Sequence, residues 1–159
     1  LNEMEKIYID SLPAIIVASH RAVIPSYDEL GKLCYMTIGP EMSRLGCECP
    51  EPGYCFTIEH GGYRQTDVDI EYCEQVAAMG KDSDIIKFKQ IPEAAEAVCM
   101  KVYGQYDRLN VNLREILEWI ESNGYTIAAP PRYSYVDGIW NQEDPEKWLT
   151  IIQVPVEKS

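Results

Sequence analysis

The chain has 159 residues, 46% hydrophobic and 25% charged, a composition that suits one globular domain or two fused halves sharing a core. No apolar run is long enough to cross a bilayer, and the first ten residues carry Asn2, Glu3, Glu5, Lys6 and Asp10 rather than a secretory leader, so a cytoplasmic location is expected. With 26 acidic against 14 basic residues the net charge is −12, which repels phosphate backbones and excludes direct nucleic-acid contact as an expectation.

In chain order, Lys6–Ser11 and Ile15–Val23 are β-rich, separated by Leu12-Pro13, where proline fits only an edge or a turn. Asp28 is placed to cap a helix starting near Glu29, with Leu30, Leu33, Cys34 and Thr37 on one face. Gly39-Pro40 is expected to kink or restart that helix. Tyr54–Glu59 and Asp67–Val76 read as strands joined through the turn signal Gly61-Gly62. Ile85–Lys89 and Ala95–Tyr103 are the next strands. Leu109, Leu113, Ile116, Leu117 and Ile120 then recur at helical spacing until Asn123-Gly124 stops the helix. Arg132–Asp137 and Trp148–Val156 close the chain as strands.

These elements form a repeat. At an offset of 79 residues, Pro13 matches Pro92, Ala18 matches Ala97, Val23 matches Val102, Tyr27-Asp28 matches Tyr106-Asp107 and Leu30 matches Leu109. The expected fold is α+β: a single domain over 1–159 built from two β-α-β-β repeats, about 6–78 and 85–157. Their strands are expected to pair into an antiparallel sheet with two main helices and a central ligand cleft. The start at Leu1 rather than methionine suggests the C-terminal part of a longer protein.

Six cysteines raise a metal or disulfide reading. Cys34 and Cys99 lie in apolar surroundings and read as core thiols, whereas Cys47, Cys49 and Cys55 offer one Cys-x-Cys with no matching second pair. No metal and reduced thiols are expected. Gly61-Gly62 lacks the flanking pattern of a phosphate loop, so no nucleotide cofactor is expected either. His20 and His60 belong to no visible Ser-His-Asp or Cys-His arrangement.

The ordered motifs resemble the GyrI-like effector-binding domains of bacterial transcription regulators. They are Leu12-Pro13 with Arg21, Tyr27-Asp28-x-Leu30, Asp67-x-Asp69-x-Glu71, Gly104-x-Tyr106-x-x-Leu109 and Trp119-Ile120-x-x-Asn123-Gly124. Pro130-Pro131-Arg132-Tyr133-Ser134-Tyr135 and Ile151-x-x-Val154-Pro155-Val156 complete the set. The resemblance implies a SOUL/GyrI-like fold with a ligand cleft at the junction of the repeats. It also implies a role as a drug-sensing domain like those of MerR-type and AraC-type regulators, which bind lipophilic aromatic cations. Some stand-alone members hydrolyse reactive cyclopropane-containing toxins. This chain departs from the family in carrying Tyr103 where many members have a histidine, and Tyr133 where many have a glutamate.

On the strand 67–72, alternation puts Asp67, Asp69 and Glu71 on one face, and the resemblance sends Glu71 into the cleft. A carboxylate there would tend to a raised pKa and could bind a cation or act as a general base; a solvated glutamate on an exposed sheet face is the plain alternative. Eleven tyrosines and three tryptophans against two phenylalanines favour rings with a polar handle. Tyr54, Tyr103, Tyr106, Tyr133, Tyr135 and Trp140 are the candidate wall for stacking and cation–π contact. The expected function is a non-enzymatic sensor of hydrophobic, planar or cationic small molecules, whose partner is a DNA-binding module, fused or separate. The alternatives are a hydrolase of electrophilic toxins with Glu71 as general base, and an acidic inhibitor or scaffold.

Overall fold

Residues 6–62, 64 and 66–159 are described by a computed structural model. The strands in chain order are β1 (Ile7–Leu12), β2 (Ile15–Ile24), β3 (Cys55–Glu59), β4 (Val68–Gln75), β5 (Lys87–Ile91), β6 (Ala94–Tyr103), β7 (Tyr125–Ile127), β8 (Arg132–Asp137) and β9 (Leu149–Lys158). The fold is α+β, and the pairings within each of its two compact units are antiparallel. A middle unit spans Ala14–Pro92, and a terminal unit combines the described residues up to Pro13 with Glu93–Ser159. Among the described residues no helix is long and apolar enough to cross a membrane.

In the middle unit the order is β3-β4-β2-β5. Helix α1, residues 27–44, opens as a 3-10 turn at Tyr27–Glu29, continues through an α turn at Leu30–Leu33 and a π turn at Cys34–Ile38, and ends as α-helix at Gly39–Arg44. One expectation fails here. Asp28 caps nothing, because the 3-10 turn carries it inside the helix; Ser26 is the N-cap residue, and no side chain caps the turn. Gly39-Pro40 restarts the helix as expected: the π turn ends at Ile38 and α-helix resumes at Gly39, with Pro40 in its first turn, where the missing N–H costs least. Glycine suits the position: a Cβ at Gly39 would sit 3.0 Å from the Cys34 carbonyl oxygen. The π turn also passes the buried face from Leu30, Leu33 and Cys34 to Ile38 and Met42, which pack on Ala18, Tyr72, Ile86 and Phe88.

The terminal unit has the order β1-β6-β9-β8, with β7 paired to the end of β9. Helix α2 (Leu109–Ser122) follows a 3-10 turn at Tyr106–Arg108 and buries Leu109, Leu113, Ile116 and Ile120. These pack on Val98, Met100, Val102, Ile152, Val154 and Tyr133, each buried aliphatic contributing about 1.5–3 kcal/mol. The stop at Asn123-Gly124 is as read from sequence: Asn123 Nδ2 donates to the Trp119 carbonyl at 2.8 Å, and Gly124 takes φ +78°.

The first strand of each sequence copy pairs outside its own copy. β1 pairs with β6, and β5 pairs with β2. The 79-residue offset holds for β2 and β6 and for the opening turns at Tyr27 and Tyr106, but the strand faces do not match. Ala18 and Ile24 face α1, and Val98, Met100 and Val102 face α2, so in both copies the even-numbered residues look toward the helix. An odd offset joined to a two-residue period sets the copies one residue out of phase. Gly104 lies where the slip is absorbed: its φ of +114° is closed to Pro25, its counterpart in the first copy.

Candidate functional site

Glu71 is set by its strand register. It lies opposite Arg21 of β2 and Ile58 of β3, on the same face as Phe56 and Cys73. On the opposite face Ile70 packs with Leu30 and Leu33 of α1, so Glu71 points away from that helix. Its side chain is 4% exposed, and its charge is already met. His60 Nε2 lies 2.8 Å from Oε1, and Lys89 Nζ forms an ion pair with Oε2. Lys89 reaches it because β2 stands between β4 and β5 and the Val17–Lys89 register puts the lysine on this face. Burial pushes the carboxyl pKa up, but the hydrogen bonds from Lys89 and His60, the lysine charge and Ser19 outweigh it, leaving the group below the usual carboxylate range. The rise expected from sequence is therefore reversed, and a carboxylate held this low is a poor general base. Asp69, on the same face, forms a two-pronged pair with Arg21 at 3.0 and 2.9 Å. Asp67 precedes the strand with φ +51°. Tyr54 packs on Phe56 with ring centroids 5.0 Å apart, along the Glu71 face.

Glu59 is a buried carboxyl on the helix side. Its antiparallel partner is Ile70, so it shares the face that packs under α1. It is 2% exposed. The Tyr27 hydroxyl, from the opening turn of α1, donates to Oε2 at 2.5 Å, and Thr57 Oγ1 lies 3.5 Å from Oε1. Burial drives its pKa up to about 7, against the smaller lowering effect of those two hydroxyls. Sequence reasoning passed over Glu59 because a glutamate ending a strand reads as solvated. The signal lies in Tyr27, whose ring the helix opening carries to it.

Of the aromatic candidates, the terminal unit brings Tyr106 and Tyr135 together, edge to face at 5.6 Å, with Trp148 stacked on Tyr106 at 5.4 Å. Tyr133 is 1% exposed in the core beneath α2. Tyr103 at the end of β6 and Trp140 on the loop after β8 are 65% and 58% exposed and lie outside that core cluster. Trp148, missed from sequence, is fixed by its indole N–H donating to the Gln142 carbonyl at 2.8 Å. Cys55 lies opposite Glu74 across β3 and β4, and Cys49 Sγ donates to Glu74 at 3.2 Å. Among the described residues no group of three or more His, Cys, Asp or Glu side chains is placed to hold a metal.

The sequence matches the GyrI-like small molecule binding domain over residues 5–157. The chain belongs to the GyrI-like family. Among solved structures, this GyrI-like domain is similar to the EcmrR C-terminal domain at 38% identity and TM-score 0.89, covering 96% of this chain and 98% of that one. EcmrR in a DNA complex gives 38% identity and TM-score 0.90, and there the match spans 57% of the longer chain. A hydrolase from Listeria innocua is similar at 13% identity and TM-score 0.65, covering 96% of this chain and 92% of that one, a likeness of fold alone. No curated protein sequence matches the GyrI-like chain.

Proposed function

We propose that this GyrI-like domain is the effector-binding module of a transcription regulator, and that it recognises hydrophobic, planar or cationic small molecules through Glu59. The observation that carries the reading is the Glu59 carboxyl, buried and held only by hydroxyls, with no Lys, Arg or His paired to it among the described residues. An ionised carboxylate in such a place lacks a counter-charge, and a lipophilic cation supplies one while giving up little hydration of its own. Glu71, the sequence candidate, is less suited because Lys89 and His60 already occupy it. Contact with DNA, a property of the EcmrR assembly, would fall here to a DNA-binding module rather than to a chain of net charge −12.

The test is calorimetric titration with tetraphenylphosphonium and with uncharged triphenylphosphine oxide. Glu59→Gln keeps the shape and removes the charge, so cation affinity is expected to fall by about 1–3 kcal/mol while the neutral compound changes little. The recognition charge is Glu71 if Glu71→Gln produces that contrast and Glu59→Gln does not.

A further inference from the structure

Resting on the reading of Glu59 as the anchor, we infer that a cationic ligand binds this domain in exchange for a proton: Glu59 is a neutral acid in the empty domain and a carboxylate in the liganded one. The reaction balances as cation plus protonated Glu59 giving the cation–carboxylate pair plus one proton released to solvent.

The geometry argues for a neutral acid in the empty domain. Glu59 is 2% exposed, too buried for water to solvate a full charge. The groups facing it can be named element by element. From the opening turn of α1 comes the Tyr27 phenol, the one titratable partner among the described residues; from β3 comes the Thr57 hydroxyl; from β4 comes the apolar Ile70. No Lys, Arg or His pairs with it among the described residues, in contrast to Glu71, which has two cationic neighbours on the other face of β4. The hydroxyls favour the carboxylate, but burial outweighs them. Tyr27 donates to Oε2 and Thr57 Oγ1 donates to Oε1 at 3.5 Å, two neutral hydroxyls that bring no counter-charge to an ionised carboxylate. The pKa of about 7 agrees with this arrangement.

A sensor built this way reads cation concentration and pH together. Below neutrality each unit by which the pH falls costs the cation tenfold in affinity, because it competes with a tenfold higher proton concentration for the same carboxyl. Above neutrality the dependence levels off. Neutral ligands draw no such penalty.

The experiment is titration of the full chain with tetraphenylphosphonium in buffers of different ionisation enthalpy, which counts the protons released. Release close to one per cation is expected at about pH 6 and close to none at about pH 8.5. Glu59→Gln should abolish the release, and Glu71→Gln should leave it intact. Tyr27→Phe, which removes the lowering phenol, should hold the proton more tightly and shift the release to higher pH. Binding at about pH 6 without proton release overturns the exchange and leaves the anchor reading standing. If the cation does not bind at all, the anchor reading fails. The exchange fails with it, whereas carboxyl carbon NMR of Glu59 in the empty domain tests the neutral acid separately: titration in the ordinary carboxylate range overturns the exchange, and titration near neutrality supports it.

Discussion

Glu59→Gln should make the protein more stable at mildly alkaline pH and leave it nearly unchanged in acid. In the unfolded chain this carboxyl titrates at its ordinary 4.5, and burial in the fold raises that to about 7. The folded state therefore holds the proton more tightly than the unfolded state, so stability declines as pH rises from 4.5 to about 7 and then stays level. At 1.36 kcal/mol per pH unit the full cost is about 3 kcal/mol. The glutamine of the variant never ionises and escapes that cost, but its amide accepts the Tyr27 hydrogen bond less strongly than a carboxylate would, returning about 1 kcal/mol. The net gain above neutrality is about 2 kcal/mol, and below pH ~4 the two proteins should match within about 0.5 kcal/mol. Urea denaturation at a series of pH values, read by tryptophan emission, measures the difference directly. Parallel stability curves for the two proteins would refute the reasoning, since they would mean that Glu59 ionises as readily folded as unfolded.

Lys89→Met leaves the Glu71 carboxylate with only His60 and Ser19 of the groups that lower its pKa and should cost about 1–2 kcal/mol in urea denaturation, less than a broken fully buried pair because Lys89 is 42% exposed. Glu71 is held below its ordinary range, so its contribution is present above the unfolded carboxylate pKa and is lost as pH falls through the folded one; Lys89→Met should flatten that acid loss. Gly104→Ala forces a side chain into φ +114° and should cost about 1–3 kcal/mol, seen as a lower thermal midpoint. Tyr106→Leu removes both ring contacts, to Tyr135 and Trp148, and should cost about 1–3 kcal/mol while weakening the near-UV circular dichroism of Trp148.

The regular elements were legible because their periods are. Leu109, Leu113, Ile116 and Ile120 announce α2, and the alternation in 15–24 and 68–75 announces β2 and β4. β7 went unread because three residues are too few to display a period. The π turn went unread because Gly39-Pro40 signals where the helix restarts and not the geometry of the turn before it. The site resisted for a different reason. The neutralisation of Glu71 depends on β5 lying beside β2, and the burial of Glu59 depends on Tyr27, 32 residues earlier. Each carboxylate's chemistry is set by an element distant in sequence, and single-residue patterns carry no such information.

The exchange of first strands means that the seam of the duplication is the wrong place to cut the molecule. A fragment holding only the first copy would keep β1 with nothing to bind and leave the β2 edge bare where β5 belongs. An open edge of that kind recruits whatever strand is offered, and the nearest match is the same fragment's own β1, which carries the counterpart sequence. Two such fragments would close both open edges by clasping reciprocally as a swapped pair.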